Sequence, residues 1–376
     1  MGLNRSAIAN RAELPAATRA AFYQPGGTIS LEDVPITEPQ AGELLVRVNA
    51  CGLCASETLR WYADAKAPFA LGHEPAAEIV ACGDGARAVP FDGESASRPF
   101  AVGERVFIHH HAPCMQCRRC RRGDYVQCAT WRATKLRPGG MSQLALVPQT
   151  NVLQDVLRIP ADIDDDTATL IEPLATVVKS VRRSRMHSGD RVLVIGLGAM
   201  GMLHMLVARE RGAGTIFGAD RVPMRLRRAK DFGADAIIDV GTAALHSQVR
   251  ELTGGEGAEI VFVTPGSAAA LNDACTCVAP GGTIVIFTPL APGELWPLDV
   301  HTAFFSDLNL VTSYSAGPND TREAVTLLLG GLPVAQLFTD RFGLNDVQQA
   351  YDAVRNPDTS LKVIVYPQRA HMSEAV

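Results

Sequence analysis

Between residues 19 and 147 the apolar positions come in short runs or alternate with polar ones, and Gly/Pro turns separate them. RAAFYQP (19–25), GELLVRVNACG (42–52), AAEIVACG (76–83), GERVFIHHH (103–111) and SQLALVP (142–148) are the clearest cases. That pattern predicts β-strands. The period changes in TATLIEPLATVVKSVRR (167–183), which reads as a helix, with the acidic DIDDD (162–166) at its start and arginines at its end. From about residue 190 buried strands and amphipathic helices alternate. RVLVIG, TIFGAD, AIIDV, AEIVFVT, GGTIVIFT and LNLVTS are the strands; 196–213 and 222–234 read as helices. Such alternation predicts a parallel, doubly wound sheet. EAVTLLLGG (323–331) adds a helix and LKVIVYP (361–367) a closing strand. The pattern therefore predicts an α/β chain in which a Rossmann domain (181–312) is inserted into a β-rich domain (19–180 and 313–376).

Two segments stand outside this scheme. Residues 1–18 have no continuous apolar core, so they read as a short mobile extension and not as a signal peptide or a membrane span. Residues 83–98 are polar and Gly-rich and read as a surface insertion.

Composition narrows the function. The 376 residues carry a net charge of −5, and 47% are hydrophobic. The charge lacks the footprint of a nucleic-acid binder, and the hydrophobic share supports a sizeable core. Arg118, Arg119, Arg121 and Arg122 form a local basic run that reads as solvated surface or subunit contact. The nine cysteines, without a secretory signal, point to a reducing cytoplasm.

Gly196, Gly198 and Gly201 form G-x-G-x-x-G between a strand and a helix that includes Ala199 and Met200. The glycines allow a tight turn and close approach of a pyrophosphate to the helix N-terminus. Asp220 ends the next strand, where a carboxylate accepts from ribose hydroxyls and repels a 2′-phosphate, so NAD is expected over NADP. Arg221 is the residue type that would meet such a phosphate, and Arg225, one turn on, can reach the adenosine end.

Cys114, Cys117, Cys120 and Cys128 are spaced C-x2-C-x2-C-x7-C. Four thiolates close a tetrahedral zinc shell and leave no position for chemistry. Disulfides and iron–sulfur ligation are the competing readings. A second set is dispersed: Cys54, His73, Glu74 and Glu172. Each is a competent zinc ligand, and each also has an ordinary reading as a core, turn or helix-face residue.

Together CGLCASE, GHEP, GERV, the cysteine quartet, GGMSQLALVP, IEPLATV, GDRVLVIGLGAMG and GAD-x4-RL, in this order, resemble the zinc-dependent medium-chain dehydrogenase/reductase (alcohol dehydrogenase) family over residues 19–366. The resemblance implies a GroES-like catalytic domain with a structural-zinc lobe, a Rossmann domain, and an active site between them. It implies two Zn2+ per chain and NAD. Cys54 and His73 match ligands of the catalytic zinc. Glu74 matches a carboxylate that ligates it in related enzymes. Glu172 stands where the classical alcohol dehydrogenases have cysteine, as in the polyol and sorbitol branch. Ser56 matches the hydroxyl that relays the substrate proton. Thr176 would lie near the nicotinamide, with Thr264 and Phe287 as further candidates at strand ends. Leu59 replaces a frequent relay histidine. Glu57 is either a substitute for that histidine in the outer proton path or one half of a salt bridge to an arginine. Strand alternation would turn at most two of His109, His110 and His111 to the cleft, and a ligand role for them is the minor reading.

The implied activity is hydride transfer between NAD and a secondary alcohol or ketone, with a polyol, sugar alcohol, cyclitol or amino-alcohol as substrate. An NADPH-linked carbonyl reductase of specialised metabolism is the alternative, and a zinc- and dinucleotide-binding sensor or structural protein the non-enzymatic one. The expected partners are the small-molecule substrate and, through the LNLVTS strand, further copies in a homodimer or homotetramer, with neither nucleic acid nor membrane.

Overall fold

A computed structural model describes residues 14–87 and 98–372. Most of the extension expected at residues 1–18, and residues 88–97 of the insertion expected at 83–98, lie outside the described residues. Sixteen strands occur in the described chain. The first eight are β1 (Ala17–Gln24), β2 (Thr28–Pro35), β3 (Leu44–Leu53), β4 (Phe69–Ala70), β5 (Glu74–Cys82), β6 (Arg105–Ile108), β7 (Leu144–Val147) and β8 (Val156–Arg158). Then come β9 (Arg191–Ile195), β10 (Thr215–Asp220), β11 (Ala236–Asp239), β12 (Ala258–Val263), β13 (Val278–Ile286), β14 (Asn309–Thr312), β15 (Phe338–Gly343) and β16 (Lys362–Tyr366).

They form three sheets. β9 to β14 make one, in the order β11-β10-β9-β12-β13-β14, and every pairing in it is parallel. The strand order reverses between β9 and β12, and the G-x-G-x-x-G turn follows β9. Open parallel sheets bind ligands at such a switch point. The remaining strands form a mixed seven-stranded sheet, β15-β16-β3-β5-β6-β8 with β7 also on β3, and a small sheet β2-β1-β4. β16, from the end of the chain, pairs antiparallel with β3, so the C-terminal segment completes the N-terminal β region.

The Ile171–Ser184 helix joins the two regions. Eleven of its fourteen residues are buried, including Ile171, Leu174, Val177, Val178 and Val181. It is buried on several sides because it packs against both the Ala199–Glu210 and the Pro318–Leu329 helices. Each such side chain stabilises the fold by about 1.5–3 kcal/mol on burial. The expected 167–183 helix is divided in the structure. Asp164 caps a short Asp165–Ala168 turn by accepting from Thr167 N at 2.7 Å, and the main helix restarts at Ile171. The restart puts Glu172 in the first turn, buried at the junction.

Several elements escaped the hydrophobic pattern. β2 and β15 are half exposed and carry Glu32, Asp33, Asp340 and Arg341, so their alternation is weak. The Gln149–Asp155 helix is short and follows directly on a strand.

Candidate active site

The cysteine quartet closes on one point. Its four sulfurs lie within 4.8 Å of one another. The Sγ separations are 3.9 Å for Cys114–Cys120, 3.5 Å for Cys117–Cys120 and 3.6 Å for Cys114–Cys128. Four sulfurs about 2.3 Å from a central zinc stand about 3.8 Å apart. A disulfide would bring a pair to about 2.05 Å, and all nine cysteines are free. The donor set and spacing therefore fit one zinc, and the backbone N–H groups of Cys114 and Cys117 donate to the sulfurs at 3.4 Å. Burial raises the Cys128 thiol, but amides of Cys114 and Trp131 outweigh it and bring it down to about 6. Trp131 packs under the lobe, 2% exposed, while the four arginines are solvated on its surface.

Cys54, His73 and Glu74 also converge within 4.8 Å. Cys54 follows the end of β3, His73 directly precedes β5 and Glu74 opens it. Those strands pair antiparallel, with Gly52 opposite Glu74, and this register brings the ligands together. Ser56 Oγ donates to Cys54 Sγ at 3.2 Å. His73 Nδ1 lies 3.1 Å from Glu57 Oε1, which also accepts from Gly72 N at 3.0 Å. Among the described residues Glu57 therefore pairs with a candidate ligand and not with the arginine expected as one alternative. Burial would lower the His73 pKa, but Glu57 and Cys54 outweigh it and hold it well above the usual value. Such a carboxylate fixes the ring and leaves Nε2 for a metal.

Glu172 lies apart from that trio. Its carboxylate groups with His109 and His110, again within 4.8 Å. The two groups adjoin, since the His73 and His110 rings are 4.9 Å apart. β6 ends at Ile108, so strand alternation no longer governs the three histidines. His111 turns away, its Nδ1 donating to Thr134 O at 2.5 Å and its ring tilted against Trp131, with centroids 4.3 Å apart. Burial, with Glu74 adding, raises the Glu172 pKa, whereas burial and the neighbouring His111 and His73 push His110 well below the usual value. Four buried atoms here have no hydrogen-bond partner: Glu57 Oε2, Glu74 Oε1, His109 Nε2 and His110 Nδ1. Buried polar atoms are rarely left so, and their convergence marks a site that accepts a metal, water or ligand.

Two partners were missed from sequence. Lys362, on β16 and 4% exposed, is ion-paired with Glu74. Burial lowers its pKa, but Glu74 outweighs that and raises it. Asp155, fully buried, accepts from His109 Nδ1 at 2.6 Å. A lysine opening the apolar strand KVIVY was the one signal available for the first; nothing marked the second.

At the dinucleotide motif Gly196 has φ +88°. A Cβ on Gly201 would strike the Gly196 carbonyl, so the helix packs closely on the turn. Gly198 is the N-cap of the Ala199–Glu210 helix, and Ala199 and Met200 form its first turn. Asp220 Oδ2 accepts from Leu197 N at 2.6 Å, and Oδ1 from Arg221 N at 2.7 Å and Val222 N at 2.9 Å. The carboxylate is thus fixed in position at the end of β10, with Arg225 3.8 Å away. Thr264 Oγ1 donates to Gly196 O at 2.8 Å and ties β12 to the turn. Thr176 Oγ1 donates within its helix to Pro173 O at 2.7 Å. Phe287 packs edge-on against His204.

This pairing of a Gly-rich nucleotide turn with a Cys–His–Glu site and a four-cysteine lobe matches known proteins in both sequence and fold. Residues 40–161 match the alcohol dehydrogenase GroES-like domain, and residues 199–330 match the zinc-binding dehydrogenase domain. The chain belongs to the zinc-dependent medium-chain dehydrogenase family. The dehydrogenase is 29% identical over 367 residues to sorbitol dehydrogenase of Bacillus subtilis (strain 168), covering 95% of this chain and 99% of that protein. It is 29% identical over 343 residues to an L-threonine 3-dehydrogenase of Rhizobium johnstonii, covering 89% and 94%. Among solved structures, an alcohol dehydrogenase of Escherichia coli CFT073 complexed with NADH superposes with a TM-score of 0.82 at 25% identity, over 94% of this chain and 100% of that one. A structure from Sinorhizobium meliloti 1021 bound to NADP gives 0.80 at 27% identity, over 94% and 100%.

Proposed function

We propose that the dehydrogenase transfers hydride between NAD and a secondary alcohol or ketone at the Cys54–His73 site, and that its substrate is a polyol, sugar alcohol, cyclitol or amino-alcohol. The observation that carries this reading is the convergence of Cys54, His73 and Glu74, with Ser56 on Cys54 and the carboxylate of Glu172 alongside. Those residues would hold zinc, which when bound lowers the pKa of a coordinated hydroxyl and polarises a carbonyl. Ser56, beside the ligand sulfur, is placed to take the proton of a substrate hydroxyl. Glu57 holds His73 in the ligating orientation. Glu172 adds a hard oxygen donor where the classical enzymes have a thiolate, which favours an oxygen-rich substrate. The names of the sorbitol and threonine dehydrogenases support the same class.

Asp220 supports NAD over NADP, because its carboxylate would repel a 2′-phosphate. The NADP-bound relative keeps the second reading open to the same assay. We also infer a reducing cytoplasmic setting from the nine free cysteines, and a homodimer or homotetramer that uses the β14 edge. No helix among the described residues is long and apolar enough to cross a membrane.

Zinc-replete protein assayed with polyols, aminocyclitols and amino-alcohols, with NAD and with NADP, tests the reading by absorbance at the nicotinamide band. Substrate-dependent NADH formation that Cys54→Ser abolishes is the expected result. Dinucleotide binding without turnover across that panel and the matching ketones would favour a sensor instead.

A further inference from the structure

His109 belongs to the Cys54–His73 cleft, yet hydride transfer as proposed gives it no task. Its ring and its backbone are both fixed. Nδ1 donates to Asp155 Oδ2 at 2.6 Å, and Thr321 Oγ1 donates to Asp155 Oδ1 at 2.5 Å. The His109 amide donates to Asp155 O at 3.1 Å, and its carbonyl accepts from Asn151 Nδ2 at 2.9 Å. All four residues are fully buried. A leucine would fill this place without any buried polar network, so the network serves the one ring atom it leaves free. That atom is Nε2, buried and without a partner. Buried polar atoms are rarely left unpaired, and a fully held ring is a pre-organised hydrogen-bonding group.

The place of His109 relative to the reacting position decides what it pairs with. Ser56, on Cys54 Sγ at 3.2 Å, marks where the reacting hydroxyl gives up its proton. His109 does not group with Cys54; the His110 ring packs against both His73 and His109, at 4.9 and 5.2 Å. A ligand atom of His109 does lie within 4.8 Å of one on Glu172. An oxygen held beside Glu172 is therefore within reach of the ring for a hydrogen bond of about 2.8 Å. We propose that His109 Nε2 binds a second hydroxyl of the substrate, on the carbon next to the one oxidised. This rests on the hydride-transfer reading of the cleft and narrows its substrate to vicinal diols, which polyols, sugar alcohols and cyclitols contain. A hydroxyl pairs with Nε2 in either protonation state of the ring, since it donates and accepts alike. The ammonium of an amino-alcohol only donates.

Butane-2,3-diol and butan-2-ol differ by that second hydroxyl alone. With zinc-replete full-length protein and NAD, the wild type should favour the diol in kcat/KM by roughly 10–100-fold, the scale of leaving a buried hydrogen-bonding group unpaired. His109→Asn keeps a donor for Asp155 but deletes Nε2, and should bring the ratio close to one. A purely structural defect would slow both substrates and leave the ratio in place. Binding gives a readout free of turnover. In nitrogen-15 histidine-labelled protein loaded with zinc and NADH, the Nε2 resonance that His109→Asn removes should shift with the diol and stay put with butan-2-ol. Equal kcat/KM for the two alcohols in the wild type, a ratio that survives His109→Asn, or an unmoved Nε2 resonance would each overturn the proposal. So would a preference for 3-aminobutan-2-ol over the diol. A shift with the diol but no oxidation of any alcohol would take down the proposed reaction and leave the hydroxyl subsite standing.

Discussion

Glu57 shows how one side chain sets the chemistry of another. Its Oε1 meets both His73 Nδ1 and the Gly72 amide, so it fixes the ring and the turn that presents it. Partners of metal ligands typically contribute 10–100-fold to metal affinity or activity. Glu57→Ala is therefore expected to lower kcat/KM and zinc affinity at the Cys54 site by that factor, while the lobe zinc stays bound. Unchanged zinc affinity at that site would show that Glu57 serves only the turn. Lys362 poses the complementary case. Lys362→Met leaves Glu74 buried without its cation, a change that costs about 3–5 kcal/mol, and thermal or urea unfolding will read it. Cys54 and His73 were legible because CGLCASE and GHEP carry the family resemblance; their spacing alone did not join them. Lys362 was not, because its contact with Glu74 spans 288 residues and depends on β16 pairing with β3. The same holds for His109 and Asp155, which meet only because β6 pairs with β8.

Elements were most legible where a period was strict. The parallel sheet follows from buried strands alternating with helices, whereas β2, β15 and the Gln149–Asp155 helix depend on neighbours for their burial. The cysteine lobe has short helices and a small cluster around Trp131, Cys120 and Cys128, so the ion substitutes for a core. Cys128→Ser should thus loosen the lobe first. Limited proteolysis near residues 114–133 and a lower Tm are expected before any change in the Cys54 site; a stable variant that lost only catalysis would contradict this division. The Ala199–Glu210 helix carries a pH sensitivity of its own. His204 Nδ1 lies 2.7 Å from Met200 O and Nε2 2.9 Å from Ser180 Oγ, and burial lowers its pKa from 6.5 to about 4. The unfolded chain therefore binds the proton first as pH falls. The stability is complete above pH 6.5 and declines toward pH 4, with a loss of about 2 kcal/mol at pH 5. Urea midpoints at pH 7 and 5 should differ by less in His204→Gln than in the wild type.

At the scale of the whole molecule, the six-stranded sheet ends at β14, whose Leu310 is 38% exposed. The adjoining Val300–Phe305 helix presents Val300 at 67% and Phe304 and Phe305 at 74% each. Phe304 and Phe305 therefore stand exposed beside the edge of the nucleotide-binding sheet. An unpaired strand edge beside exposed aromatic side chains is a surface that folded proteins ordinarily cover. A second copy pairing edge to edge across a two-fold axis would cover both, and would extend the sheet across the pair. Light scattering should then report a dimer or tetramer for the wild type. Leu310→Lys combined with Phe305→Glu should shift the protein to a smaller species, because like charges would face each other at the axis. NADH binding should persist in that species, since Gly196 and Gly198, which follow β9, and Asp220, which ends β10, lie away from the β14 edge. A wild-type monomer, or a variant of unchanged size, would place the subunit contact elsewhere, and the solvated arginines of the cysteine lobe would be the next surface to mutate.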